Sequence, residues 1–281
     1  MSRFQFGLIN LNWIVLLLVA LPTFAKPIPT QLWSRWETHD PNSTQIIDHQ
    51  AFDYFLKRYV RHEPLLHANL VDYAHISDSD LSTLQLYIAR LAHVKIRRFN
   101  RNEQLAYWAN LYNALVIELI AKNYPLESIR DIRIGTFYQN SPWDVDLIKV
   151  EGSKISLDDI RNRILRPVWR DPRILYLLTN GTISAPSIQI EAYTGKNINS
   201  YLNQNAKDFI NNPYKVNVVN QRLFTTDLYN WYQQDFGPSS NAIIKHLLRY
   251  ADADLRAKLT SITDITKTSY NWRLNTVHRA S

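Results

Sequence analysis

NEQLAYWANLYNALVIELIAKNYP, Asn102 to Pro125, is the stretch on which the fold turns. Between Leu105 and Ala121 only Asn110, Asn113 and Glu118 are polar, so the segment is apolar almost all round. A helix of that kind belongs in the middle of a domain, packed on every side. Asn123 and Pro125 stop it. Asn110 and Asn113, three apart, point to nearly the same side, into a poorly solvated setting where amides must find partners. Two roles are open to them: tying down neighbouring loops, which burial favours, or lining a binding cleft.

Working outward, two amphipathic helices precede this one. DHQAFDYFLKRYVR sets Phe52, Phe55, Leu56 and Tyr59 on one face. SDSDLSTLQLYIARLAHV opens with capping-type Ser and Asp and repeats Leu81, Leu84, Ile88 and Leu91. After Pro125 the texture changes to short β-prone pieces, IRDIRIGTFY and then DVDLIKVEGSKIS, with EGSK as a turn between strands. SLDDIRNRIL is a short helix capped by Ser156. ILYLLTNGTISAP, Ile174 to Pro186, is apolar for five residues and then small and polar, the pattern of a buried strand delivering a loop to the rim of a site. Beyond it the sequence predicts a helix over NINSYLNQNAKDFINN, a strand pair KVNVV and RLFTT, and helices over DLYNWYQQDF, NAIIKHLLRYA and ADLRAKLTSI. SYNWRLN is a final extended segment. No repeat or linker divides the chain. The fold class is α+β, a single helix-rich domain with a small antiparallel sheet.

The chain has 281 residues, and 46% hydrophobic content is ample for one core. Its formal charge of +7 suits solubility, and also an anionic component of a cell envelope as partner. At the N-terminus, Arg3 precedes an apolar run from Trp13 to Leu21, followed by Pro22 and the small-ended Thr23-Phe24-Ala25. These are the parts of a secretory signal peptide over 1–25, in a run too short to span a bilayer. Residues 26–47 are an irregular lead-in, 48–275 the domain and 276–281 a tail. The expected product is a periplasmic or secreted monomer of bacterial type, without stable membrane insertion. No cysteine is present, so disulfides, thiol nucleophiles, cysteine-ligated zinc and a lipid-bearing N-terminal cysteine are all excluded.

Other chemistry is excluded by spacing. No two of the six glycines lie within ten residues, which rules out dinucleotide and phosphate-loop fingerprints. No serine occupies a G-x-S-x-G elbow. His62, His67 and His75 lack the helical spacing of ligands, so neither metal nor cofactor is expected. Trp143-Asp144-Val145-Asp146 is read as an alternating strand with an exposed acidic face. Arg161, Arg163, Arg166, Arg170 and Arg173 form either a patch for phosphate or carboxylate groups or, the plainer reading, a solvated helix face. With Trp169 as their one aromatic companion, nucleic acid is not indicated.

EQLAYWANLYNAL, YPLESIRDI, VEGSKISLDDIRNRILRPVWRDPRI, EAYTGKNINSYL, LYNWYQQDFG and YNWRLN, in that order, resemble the domain of unknown function 547 family from about residue 48 to 275. The resemblance implies a reactive set that this chain lacks. Relatives commonly carry Glu-His at Arg161-Asn162, histidine at Leu175, and cysteine at Asn180 and Ala185; the cysteine-proline pair survives as Ala185-Pro186. Such a set suits thiol chemistry or metal ligation. Its loss implies a vacated site in a non-catalytic binding or scaffolding protein, a pseudoenzyme, with Asn110, Asn113, Asn180, Ser184 and Pro186 as binding residues and no catalytic ones. The alternative is an envelope-associated hydrolase using a cysteine-independent site built from Asn110, Asn113, Ser184 or Asp144. A histidine or carboxylate within reach of Ser184 would favour the alternative.

Overall fold

A computed structural model describes residues 27–134 and 141–277. The predicted leader 1–25, residues 135–140, which include the last four of IRDIRIGTFY, and residues 278–281 of the tail lie outside the described residues.

The central helix is α3, Arg101–Asn123. Asn100 caps it, its side chain accepting from the backbone amides of Asn102 and Glu103, and Tyr107 through Ile117 are buried without interruption. α2 (Asp78–Ala92, capped by Ser77) packs on it and α1 (Gln50–Tyr59) packs on α2, with Phe52, Phe55, Leu84 and Leu91 inside the shared core. Between α1 and α2 runs a hairpin that the sequence reading missed, β1 (Val60–Glu63) against β2 (Ala68–Val71). Its turn is Pro64–Leu66 followed by His67 in the left-handed region. No described helix is long and apolar enough to cross a membrane.

After α3 the expected strand over IRDIRI is absent. Ser128 and Asp131 form a reciprocal cap that closes a 3-10 turn at Ile129–Asp131 instead. Trp143 to Asp146 are likewise a turn, not a strand. Asp146 pairs with Lys154 at 3.5 Å, and Asp144 lies beside Asp158. The predicted hairpin is present as β3 (Ile148–Val150) and β4 (Ser153–Ile155), turning on Glu151 and Gly152, both at positive φ.

Ser156 caps the next helix as predicted, its Oγ accepting from Asp159 N at 3.0 Å. That helix widens into a π-helical segment, Asp159–Leu165, before α4, Arg166–Trp169. It is not a solvated arginine face: Arg166 is buried against Asp235 (2.5 Å), and Arg161 is mostly buried. Pro172–Leu177 is a 3-10 helix where a strand was expected. Asp171 caps it and Pro172 presets its first turn. Burial of Ile174 to Leu177 on every side leaves an apolar run whose period discriminates nothing.

The C-terminal part has its own core. α5 (Ile198–Ile210) and α8 (Ser240–Tyr250) enclose Tyr176, Phe209, Tyr229, Ile243 and Leu247. The short helices α6 (Leu228–Trp231) and α7 (Gln233–Phe236) lie between them in sequence, and α9 (Ala253–Leu259) follows. β5 (Val216–Val219) and β6 (Arg222–Thr226) pair antiparallel as predicted. β7 (Ile265–Ser269) adds to β6 in parallel, so the three-stranded sheet is mixed. The helix-rich α+β class holds.

Candidate functional site

α3 organises the site through its two asparagines. Asn113 donates to the Leu177 carbonyl (2.9 Å) and accepts from the Thr179 amide (3.0 Å). Asn110 donates to the Tyr193 carbonyl (2.7 Å) and accepts from the Tyr193 amide (3.1 Å). Each side chain thus grips backbone at two points, one at either end of the stretch from Leu177 to Tyr193. They tie down the loop, the first of the two roles considered above.

The loop is held from its other side by the C-terminal segment. Ile183 N donates to Arg273 O, Asn275 N to Gly181 O, and Asn271 N to Ser184 Oγ (2.8 Å). Gly181 sits at φ +73, which strains any other residue, and a Cβ there would lie 2.3 Å from Ile120 Cδ1 on α3, so that side chain would have to move. Ser184 is buried and bonded to Asn271 on both sides. Among the described residues no histidine or carboxylate bonds it. The ionisable groups that do touch the loop are Tyr270 and Lys215. Lys215 Nζ donates to the carbonyls of Ile183 and Ala185.

Between loop, π-helical segment and C-terminal segment lies a cavity of about 280 Å³. Asn180 and Pro186 line it, as do Leu175 and Arg161, so three of the positions at which the resemblance implies reactive groups converge here. Ala185 is buried next to Pro186. Asn162 turns away, bonding Asp158 and Arg166. The walls are aromatic. Trp231, Tyr270 and Trp272 stand with ring centroids 4.6–5.6 Å apart, and Tyr112, Trp143 and Tyr232 surround the Arg161 guanidinium at 5.5–6.0 Å.

Arg161 and Asp158 are the charged groups that line the site. Nη2 donates to Asp158 (2.5 Å) and Nη1 to the Tyr112 hydroxyl (3.1 Å), while the buried Nε has no partner. Burial opposes its charge, but the Tyr112 and Tyr232 oxygens and Asp158 more than offset that, and its pKa stands above the ordinary arginine value. Partial burial, then the adjacent Asp158 carboxylate, raise the pKa of Asp144. Asn180 is engaged within the wall: Nδ2 donates to the Tyr270 hydroxyl (2.7 Å) and Oδ1 accepts from Thr182 Oγ1 (2.6 Å). Burial pushes the Tyr270 pKa up, so its hydroxyl stays neutral at physiological pH. Among the described residues no group of three histidines or carboxylates is placed to hold a metal.

Sequence reasoning identified Asn180 and Pro186 and offered Arg161 only within an arginine row whose plainer reading was a solvated face; it missed Asp158 and the aromatic walls. The available signal was the aromatic density of LYNWYQQDF and SYNWRLN, two segments that supply four of the aromatic wall residues.

Residues 96–210 match the model of a family described as "Protein of unknown function, DUF547". No curated protein and no solved structure matches the chain. The matched span covers α3, the π-helical segment, the loop and α5, but stops short of Trp231, Tyr232, Tyr270 and Trp272.

Proposed function

We propose, from the premise that the chain belongs to the DUF547 family through residues 96–210, that it is a non-catalytic binding protein whose ligand occupies the aromatic cavity. The observation that carries this is the content of the cavity: six aromatic residues, one mostly buried arginine that pairs with Asp158 through Nη2 and has an unpartnered Nε, and neither thiol nor imidazole. At about 280 Å³ the cavity is near the lower size of small-molecule sites. Its chemistry suits a ligand with a flat apolar body, to lie against the rings, and an acceptor such as a carboxylate for Arg161. The loop's hydrogen bonds preorganise Asn180, so the ligand meets a rigid wall.

The test is a titration of the mature protein with a panel of small aromatic carboxylates, read by the fluorescence of Trp143, Trp231 and Trp272 and by thermal shift. Saturable binding that weakens in Arg161→Met supports the reading; no response to any member, or an equal response in the variant, defeats it. One observation favours a second reading, the cysteine-independent hydrolase. The raised pKa of Asp144, beside Asp158, is a property that general acids share. Ester, amide and peptide substrates run on wild type, Asp144→Asn and Ser184→Ala separate the two, because turnover lost in either variant means that chemistry persists. The motif at residues 1–25 supports export, with a mature chain starting at Lys26. Recovery of the protein at full length in the membrane fraction alone would overturn that part.

A further inference from the structure

A second concavity, separate from the aromatic one, runs between the segment from Ala92 to Arg98 and the β3–β4 turn, with a volume of about 720 Å³. Arg35, Lys95, Arg97, Arg98 and Lys149 line it against a single carboxylate, Glu151. That is a local excess of four positive charges in a chain whose formal total is +7. More than half of the net charge is therefore gathered in one groove, which mere solubility does not require.

The groove is also built. Glu151 sits at the turn with φ +43, and its nearly buried carboxylate accepts from Arg97 Nε (2.7 Å) and the Arg97 amide (3.3 Å). Its backbone carbonyl accepts from Arg35 Nη2 (2.5 Å). One residue thus fixes two guanidiniums. Lys95, Arg98 and Lys149 make no ion pair among the described residues. Lys149 moreover stands directly opposite Lys154 across the hairpin, and of these two like charges only Lys154 has a carboxylate partner, Asp146, among the described residues.

We propose that this groove binds a flexible polyanion carrying closely spaced phosphate groups. Fixed arginine forks and mobile lysines are the chemistry that holds several phosphates at once. The lining holds no Trp, Tyr or Phe to build a base-stacking platform, its one ring being the His93 imidazole, and Ala92 is its only apolar side chain, which leaves nothing to enter a lipid layer.

The experiment measures binding of inorganic polyphosphate to the mature protein at low salt and at about 150 mM salt. Two triple variants of equal charge change are compared, Lys95→Gln/Arg98→Gln/Lys149→Gln in the groove and Lys245→Gln/Lys258→Gln/Lys267→Gln elsewhere. The expected result is saturable binding that weakens with salt, falls about tenfold or more in the groove variant, and changes less than about threefold in the control. Equal losses in both variants would mean a response to net charge alone and would overturn the assignment. So would absence of binding at the higher salt, or tighter binding to anionic phospholipid vesicles or duplex DNA than to polyphosphate. Unchanged melting of the groove variant guards against loss by unfolding.

Discussion

Arg161 and Lys215 are both cations withdrawn from water beside the same loop, and the fold treats them in opposite ways. Arg161 lies in the aromatic cavity with Asp158 at 2.5 Å and three ring faces around it. It keeps its charge. Lys215 is only 4% exposed, donates to two backbone carbonyls, and has no carboxylate paired with it among the described residues. Burial pushes its pKa down from 10.5 to about 7. Burial opposes the charge of both: for Lys215 it acts alone, and for Arg161 it is outweighed. Arginine starts from a higher basicity than lysine, and Arg161 also has the Tyr112 and Tyr232 oxygens and the Asp158 carboxylate beside it, where Lys215 has only neutral carbonyls.

The largest way to break the contrast is to take away that counter-charge. Asp158→Asn should destabilise the protein by about 3 kcal/mol, discounted from the full cost of splitting a buried pair because Asp158 is 35% exposed. Urea unfolding measures it. A loss below about 0.5 kcal/mol would place the pair in the surface class instead.

A buried neutral group sharpens the comparison next. Asn113→Leu keeps similar volume but strands the Leu177 carbonyl and the Thr179 amide, at about 1–3 kcal/mol. Wild-type stability in that variant would mean that the two-point grip on the loop is absent.

Lys215 gives a pH test. Its folded-state value lies below that of the unfolded chain, so between about pH 7 and 10.5 the unfolded state binds the extra proton. Stability therefore rises with pH across that window, and the contribution is flat below it, where both states are protonated. Unfolding of wild type minus Lys215→Met should show a slope approaching about 1 kcal/mol per pH unit above pH 7. A difference independent of pH would mean that Lys215 has ordinary basicity.

The smallest effect belongs to a cation left in water. Lys258 and Asp254 form an i,i+4 pair on α9, half and three-quarters exposed. Lys258→Gln should change stability by no more than about 0.5 kcal/mol, and added salt should erase the difference.

Much of the frame was legible because its signals are local. Ser77 and Ser156 announce helix starts, and Glu151-Gly152 announces a turn. The apolar circumference of α3 announces a central helix, with Asn110 and Asn113 bound to make partners inside. Each of these signals is carried by neighbours within one or two turns of chain. Where the local pattern was ambiguous it misled: Ile174 to Leu178 has no period to read, and Asp171-Pro172 turned it into a 3-10 helix.

By itself, then, the sequence determined the helices, their caps, the β3–β4 and β5–β6 hairpins and the absence of thiol chemistry. Tertiary structure alone decided which groups face each other. Tyr270 and Asn271 meet the loop from about ninety residues away, β7 joins β6 in parallel, and an arginine row that looked solvated delivers Arg161 into an aromatic cavity. The physical reason is that desolvation is not a local property. How far a charge is buried depends on chain segments distant in sequence, and the burial that Arg161 withstands beside Asp158 and the tyrosine oxygens drives the unpaired Lys215 toward neutrality.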